Sequence, residues 1–106
     1  MRQVKILTNN ELAGILTEVS KTRYEFQYVD TYTGPPVSVT LPKRKEVYVS
    51  DHLFSYFCNI LPEGANRKKL CMFKKIDEKD FFGMLMALAG ADFIGAIGVA
   101  NINDKI

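Results

Sequence analysis

Apolar and polar residues alternate along the first half of the chain with the two-residue period of β-strands. The alternating runs cover residues 3–8, 11–19, 23–29 and 37–41. In the third run Tyr24, Phe26 and Tyr28 fall on one face, which is therefore expected to be half-buried. The pattern predicts four strands of an antiparallel sheet, and Pro42 ends the last of them.

The connections between these runs contain residues that favour turns. Asn9-Asn10 predicts a tight hairpin turn, because asparagine tolerates positive φ. Gly14 predicts a bulge or a close approach of a neighbouring strand. Gly34-Pro35-Pro36 predicts a rigid loop over residues 30–36, since each proline fixes its own φ.

Residues 51–98 change to a helical period, and the rest of the chain is organised around them. Two short helices are predicted to meet at Leu61-Pro62-Glu63-Gly64, and a third helix follows. Ser50 or Asp51 is positioned to cap the first helix, and Asp77 with Asp80 to cap the third.

Apolar stripes on these helices predict the hydrophobic core. The stripes are Phe54, Phe57, Cys58 and Leu61 on the first helix, with Phe81, Leu85 and Leu88, or Phe82, Met86 and Ala89, on the third. We expect the aromatic face of the third strand to pack against both helices, with Phe57 and Leu85 at the centre.

The chain returns to a strand pattern at its end. Gly90 is the expected C′ residue of the third helix, and residues 95–102 form the final strand. Four strands, three helices and one strand predict an α+β fold: a small antiparallel sheet of about five strands, open or barrel-like, with three helices inserted before the last strand. We expect residues 1–106 to form a single domain.

Composition narrows the class of protein. The chain is 47% hydrophobic and 25% charged, which is typical of a folded globular domain. Its net charge of +2 is too small to indicate nucleic-acid binding by itself. We expect Cys58 and Cys71 to be reduced thiols, which with the absence of a signal peptide or membrane-spanning run favours a cytoplasmic protein without membrane contact.

Motifs for catalysis are missing. The sequence has no phosphate-binding loop, and Gly90, Gly95 and Gly98 precede a strand rather than a helix, unlike a dinucleotide-binding fingerprint. His52 has no cysteine or serine partner nearby and is interpreted as a surface or capping residue. We therefore expect no enzyme activity, no cofactor and no metal site.

Basic residues cluster in two places. The second helix carries Arg67, Lys68, Lys69, Lys74 and Lys75 among Ala65, Leu70, Met72 and Phe73. This pattern is typical of an amphipathic helix with a solvated basic face, and the alternative is a docking face for an acidic surface. No aromatic ladder accompanies the lysines, which disfavours direct binding of single-stranded nucleic acid. The turn at residues 43–45 (Lys-Arg-Lys) is a solvated loop or a contact for phosphate or an acidic partner.

Several segments together resemble a known family. They are the run Ser38-Val39-Thr40-Leu41-Pro42, the segment FCNILPEGANRKKL over residues 57–70, Asp80-Phe81-Phe82 with Leu85, GADFIGA over residues 90–96, and the opening hairpin from Val4 to Leu16. In this order and spacing they resemble the N-terminal subdomain of HipA-type serine/threonine kinase toxins. The resemblance spans nearly the whole chain.

The resemblance implies a partner. HipA-type kinases continue into an ATP-binding and catalytic portion, which this sequence does not contain. A free-standing copy of the subdomain is similar to HipS of three-gene HipBST toxin–antitoxin systems of bacteria. In that family HipS binds and restrains the kinase toxin HipT, and HipB is the DNA-binding partner. The expected function is therefore an antitoxin that inhibits a HipT- or HipA-like kinase by protein–protein interaction.

The sequence offers one surface for this contact. The turn between the first two helices, residues 61–67, is expected to project from the surface with the basic helix beside it, and it is called the vertex below. The candidate partner-binding residues are Leu61, Pro62, Glu63, Gly64, Ala65, Asn66, Arg67, Lys68 and Lys69. The alternative is a purely structural turn, in which Pro62 takes the first helical position and Glu63 stabilises the helix dipole.

Two other functions remain open at this point. The chain has the features of an N-terminal interaction subdomain excised from a full-length HipA-type kinase, and a small enzyme is the third alternative. Gene context separates the first two, because an adjacent kinase reading frame favours the antitoxin.

Overall fold

Five strands form one antiparallel sheet, and three helices pack on it. The structure is a computed structural model that describes residues 1–89 and 97–102. In chain order the elements are β1 (Arg2–Thr8), β2 (Glu11–Ser20), β3 (Arg23–Tyr28), β4 (Tyr48–Ser50), α1 (Ser55–Asn59), α2 (Gly64–Lys74), α3 (Phe81–Ala87) and β5 (Ile97–Asn101). The strand order across the sheet is β4-β3-β2-β1-β5.

This order confirms the predicted α+β fold with its helices inserted before the last strand. Every neighbouring pair of strands is antiparallel. The sheet is open, because β4 and β5 lie at its opposite edges in the described part of the chain. The predicted final strand is confirmed as β5, whereas Gly90 and its predicted capping role lie outside the described residues.

The β1–β2 hairpin follows the sequence prediction closely. Asn9 and Asn10 have φ of 52° and 67°, the left-handed region that a tight hairpin turn requires. Ala13 is an extra residue in β2, because Ile6 pairs with Gly14 while Leu7 pairs with Leu12. Next to this bulge, a Cβ at Gly14 would lie 2.6 Å from a backbone oxygen of β3, so the predicted close approach is also present.

The predicted fourth strand over residues 37–41 is wrong. Among the described residues its only pairing is an isolated bridge between Ser38 and Leu41, and Val39 is 95% exposed. The Ser38 hydroxyl accepts a hydrogen bond from the Thr40 amide, and the Leu41 amide donates to the Ser38 carbonyl. These local bonds close a turn that competes with strand pairing. The fourth strand is instead β4, seven residues further along.

Tyrosine hydroxyls hold the long connection between β3 and β4. The Tyr28 hydroxyl accepts a hydrogen bond from the Val37 amide at 3.0 Å and donates to the Leu41 carbonyl. Tyr32 and Tyr48 donate to carbonyls of the same connection. The connection therefore has its own internal support, although it contains no regular element.

The capping residues predicted from the sequence are only partly confirmed. The prediction that Ser50 or Asp51 caps α1 is wrong, because α1 begins at Ser55. The Ser50 hydroxyl instead accepts from the His52 amide, and the Asp51 carboxylate lies 2.7 Å from the His52 ring nitrogen. Asp80 does cap α3, since its side chain accepts a hydrogen bond from the Gly83 amide at 3.0 Å.

Arg2 fixes the rotation of α3 against the sheet. Its guanidinium bonds the Glu18 carboxylate at 2.7 and 2.8 Å and the Asp80 carboxylate at 2.9 and 3.1 Å. The same group lies 5.3 Å from the centre of the Phe82 ring. Phe82 is buried, whereas Phe81, which was also predicted to be a core residue, is 37% exposed.

The core lies between the sheet and the helices. Phe57 is fully buried, with its ring centre 5.5 Å from that of Phe26 on β3. Leu85 is also fully buried, so the predicted central residues of α1 and α3 are confirmed. The largest fully buried side chains are Phe26, Phe57, Phe82, Ile6, Leu16, Met84, Leu85 and Val4.

Candidate partner-binding surface

The vertex between α1 and α2 is a short extended connection. The amide of Leu61 bonds the carbonyl of Cys58 at 3.2 Å and closes α1. Pro62 then prevents the helix from continuing, because a proline disfavours helical backbone at the residue before it. Glu63 is extended, with φ of −128° and ψ of 163°, and it precedes the first residue of α2.

Of the two roles predicted for a structural turn, the one given to Pro62 is wrong, whereas Glu63 does lie at the N-terminal end of α2, where its charge stabilises the helix dipole. Pro62 lies before the cap residue of α2 rather than at the first helical position, and Glu63 is the cap itself without a side-chain hydrogen bond. Gly64, the first residue of α2, has a φ of +58°. An added Cβ there would meet nothing within 4 Å, so the glycine is needed for its backbone conformation and not for space.

Two of the nine candidate residues face inward. Leu61 is 4% exposed and belongs to the core. Arg67 donates from Nε to the Pro62 carbonyl at 2.9 Å, and its guanidinium lies 5.4 Å from the centre of the Phe81 ring. Arg67 therefore holds the vertex against α3, and its charge is only partly presented to solvent.

The other candidate residues form the accessible part of the vertex. Pro62 is half-buried, whereas Glu63, Gly64, Ala65, Asn66, Lys68 and Lys69 are exposed. The structure thus brings six of the nine candidates together on one solvent-facing surface at the start of α2. Whether this surface binds a partner remains a prediction.

Helix α2 contacts the domain through a narrow stripe. Cys71 is its only buried residue, and Arg67 and Leu70 are half-buried. Met72 and Phe73 are 82% and 81% exposed. The predicted solvated basic face is therefore present, but it includes two large apolar side chains that were expected on the buried side.

A signal in the sequence marks this exposure. Residues 70–73 are four consecutive apolar residues, Leu-Cys-Met-Phe. Successive residues on an α-helix are about 100° apart, so four in a row extend around most of the helix and cannot all face one core. At least two of these four residues must therefore lie outside the buried stripe of α2.

Positive charge is concentrated on α2 and its C-terminal cap. Residues 64–75 contain five Lys or Arg and no Asp or Glu, although the whole chain has a net charge of only +2. Among the described residues, Lys68, Lys69, Lys74 and Lys75 form no ion pair with a carboxylate. The Lys74 ammonium lies 5.5 Å from the centre of the Phe73 ring.

The basic turn at residues 43–45 is built differently. Lys43 donates to the Gly34 carbonyl at 2.8 Å, and the guanidinium of Arg44 lies 3.6 Å from the centre of the Tyr48 ring. Together with Lys45 these residues line an open cavity of about 560 Å³, to which Asp30 also contributes. Two of the three basic groups thus support their own loop.

The thiols have the surroundings of unreactive core cysteines. Cys58 and Cys71 are not joined in a disulfide. Burial raises the pKa of the Cys58 thiol, and the charge of Arg67 opposes this only weakly. The protonated thiol is therefore the dominant form near neutral pH. Among residues 1–89 and 97–102, no helix is long and apolar enough to span a membrane.

Comparisons with known proteins identify the family. The profile of the HipA N-terminal domain matches residues 4–100. An uncharacterized protein of Haemophilus influenzae is 32% identical over 99 residues, which are 93% of this chain and 92% of that protein. The solved N-terminal domain of HipA toxin matches with a TM-score of 0.75 and 30% identity, covering 99% of this chain and 96% of that chain. The chain belongs to the HipA N-terminal domain family.

Proposed function

We propose that this chain is an antitoxin that binds a HipT- or HipA-like serine/threonine kinase toxin and inhibits it. The observation that carries the proposal is the family match, in which the profile of the HipA N-terminal domain covers residues 4–100. The relative from Haemophilus influenzae supports it, since 92% of that protein aligns with this chain.

The surface of α2 supports a role in protein–protein contact. Its lysines have no carboxylate partner in the described part of the chain, so they are free to steer association with an acidic surface. Pro62 fixes its own φ in the connection between α1 and α2, and a restricted backbone reduces the entropy lost on binding.

The proposed antitoxin acts without catalysis of its own. We expect the isolated protein to show no saturable binding of ATP by calorimetry in the presence of magnesium, because the sequence has no phosphate-binding loop. A HipB-like DNA-binding protein is the proposed third member of a larger assembly, with no direct contact between this chain and nucleic acid. The proposed location is the cytoplasm.

Growth rescue and direct binding test the proposal. A HipT- or HipA-like kinase from the same genome is expressed in bacteria with and without the chain, and an inactive variant of that kinase is purified for binding. We expect the chain to restore growth and to bind the purified kinase. A parent protein that neither binds nor restores growth contradicts the antitoxin function.

Variants at the vertex locate the contact. Lys68→Glu with Lys69→Glu reverses two exposed charges, and Ala65→Trp adds bulk at an exposed position. Circular dichroism first checks that each variant folds. We expect both to weaken rescue. If every folded variant restores growth as well as the parent, the contact lies elsewhere, on the sheet or on the loop over residues 30–36.

One observation favours a second candidate function. The solved structure with 30% identity is the N-terminal domain of HipA toxin, which is part of a kinase. The present chain would then be an interaction subdomain of a full-length HipA-type kinase. An in-frame continuation of the gene into a kinase domain supports this alternative, and a separate kinase gene supports the antitoxin.

A further inference from the structure

The outer face of α2 contains the only adjacent pair of strongly exposed, large apolar residues in the described part of the chain. Met72 and Phe73 are 82% and 81% exposed. Other exposed apolar side chains in these residues are isolated, as Val39 in a loop and Val49 on an edge strand are. Single exposed apolar residues are ordinary, whereas a contiguous patch indicates an interaction site.

Helical geometry joins this pair to the exposed part of the vertex. Residues at spacings of three, four, seven and eight lie on one side of a helix. From Ala65 these spacings reach Lys68, Lys69, Met72 and Phe73, all of them exposed. The inner stripe of Arg67, Leu70 and Cys71 lies on the other side. The outer face is therefore one continuous surface with apolar residues at its C-terminal end.

The charge around the pair limits what can cover it. Lys68, Lys69 and Lys74 flank Met72 and Phe73 on the helix, and no carboxylate occurs from residue 64 to residue 75. Asp77 and Glu78 follow the helix and line a cavity beside Met72, so the three lysines outnumber the carboxylates around the pair. A symmetric contact with a second copy would place these lysines against lysines, which costs binding free energy. A membrane surface would require a broader apolar face than two large side chains provide. An acidic protein surface with an apolar depression complements both features.

We propose that Met72 and Phe73 are the apolar anchors of the contact with the kinase partner, which presents an apolar pocket rimmed by carboxylates. This inference rests on the proposed antitoxin function and extends its surface one to two turns beyond the vertex. Phe73 fills the pocket, and the surrounding lysines meet the carboxylates. A few buried aromatic anchors carry most of the affinity in such interfaces, while charges at the rim mainly raise the association rate.

The experiment measures binding kinetics with the purified inactive kinase as the probe. Phe73→Ala and Met72→Ala remove the anchors one at a time, and Val39→Ala is the matched control at an exposed apolar residue outside α2. We expect Phe73→Ala to raise Kd at least about tenfold, mainly through faster dissociation. We expect Val39→Ala to leave Kd unchanged.

Charge and anchor effects are expected to separate. The double variant Lys68→Glu/Lys69→Glu should slow association and reduce its dependence on salt, with a smaller change in dissociation. Phe73→Ala should leave the salt dependence of association as it is in the parent. Thermal unfolding of each variant checks that the fold is intact, which is expected because these side chains are exposed.

Each alternative has its own outcome. If the parent binds the kinase and both Phe73→Ala and Met72→Ala bind equally well, the anchor proposal is overturned while the antitoxin function stands. If the parent does not bind, the antitoxin function fails and the anchor proposal fails with it. Light scattering that shows a dimer of the parent, made monomeric by Phe73→Ala, assigns the face to a second copy and overturns the proposal. If the parent sediments with vesicles of phosphatidylcholine and phosphatidylglycerol and Phe73→Ala does not, the outer face of α2 binds membranes and the proposal is overturned.

Discussion

Phenylalanine and basic residues lie in opposite environments in two regions of the molecule. One region is the sheet with α1 and α3, and the other is helix α2. In the first region Phe57 is fully buried, and the guanidinium of Arg2 binds two carboxylates. On α2 Phe73 is 81% exposed, and Lys68 and Lys69 have no carboxylate partner among the described residues. Folding stability explains the first arrangement but not the second. The outer face of α2 is therefore the place where the proposed contact with a partner is tested.

The largest test of this comparison uses one substitution in both regions. Phe57→Ala removes a ring with no exposed surface, so it should lower the free energy of unfolding by about 3–5 kcal/mol through lost burial and a residual cavity. Phe73→Ala is the matched control and should change it by less than about 0.5 kcal/mol, because its ring is already in water. Urea denaturation at neutral pH measures both.

Similar losses for the two variants would contradict the comparison. A large loss at Phe73 would mean that its ring is buried in solution, and its role would then be structural. A small loss at Phe57 would mean that the faces of α1 are wrongly assigned. For a domain of this size, about 3–5 kcal/mol is a large share of the total stability.

A smaller effect is expected where a charge is paired. Asp80 caps α3 and binds Arg2, so Asp80→Ala should lower the free energy of unfolding by about 1–2 kcal/mol through loss of the cap and of a partly exposed ion pair. The control is Asp51→Ala, which removes an exposed carboxylate whose partner is the exposed His52. Asp51→Ala should leave the stability unchanged.

The effect of Asp80 should depend on pH. Its hydrogen bonds from Arg2, and secondarily the one from the Gly83 amide, lower the pKa of this carboxyl below its usual value of 3.8. A carboxyl with a lowered pKa in the folded state stabilises the fold above its unfolded pKa, and this contribution is lost as the pH falls through the folded pKa. The difference between parent and Asp80→Ala should therefore shrink below about pH 4. An undiminished difference at low pH would show that the ion pair contributes nothing.

The sequence predicted those parts of the fold that local chemistry determines. Asn9 and Asn10 specify the hairpin turn, and the alternating aromatics of β3 specify its buried face. The order of elements followed from the change of period at residue 51. The cap at Asp80 was predicted because it depends on residues only a few positions apart.

Long-range contacts explain where the sequence prediction was wrong. Residues 37–41 alternate like a strand, but local bonds to Ser38 close a turn there, and Tyr28 holds this turn by binding the amide of Val37 and the carbonyl of Leu41. The bond between Arg2 and Asp80 joins residues 78 positions apart at the start of α3, where Phe82 is buried and Phe81 is 37% exposed. No local pattern contains the contacts that Tyr28 and Arg2 make.

The candidate surface was predicted in position but not in extent. The vertex and the first lysines of α2 are exposed as expected, because a turn before a basic helix seldom lies inside a small domain. Leu61 and Arg67 face inward for reasons that only the packed structure contains. The four consecutive apolar residues at 70–73 carried the missing information, but helical geometry leaves open which of them is buried.

The smallest expected effect concerns the C-terminal end of α2. Lys75 ends the helix in the left-handed region, with a φ of 57°, where a side chain is strained and glycine is not. Lys75→Gly relieves this strain, but the glycine also adds conformational entropy to the unfolded chain, which offsets most of the gain. The free energy of unfolding should therefore rise by only about 0.5 kcal/mol. Lys74→Gly is the matched control at the adjacent helical position and should lower it by about 1 kcal/mol.

Both substitutions remove one positive charge and add the same freedom to the unfolded chain. The gap between them, about 1–2 kcal/mol, therefore isolates the strain at Lys75. Urea denaturation of the two variants under one set of conditions measures this gap. Equal losses would mean that Lys75 leaves the left-handed region in solution. The Lys75→Gly variant is expected to be more stable than the parent and to associate more slowly with the kinase. This result would show that a positive charge at the end of α2 lowers stability and favours binding.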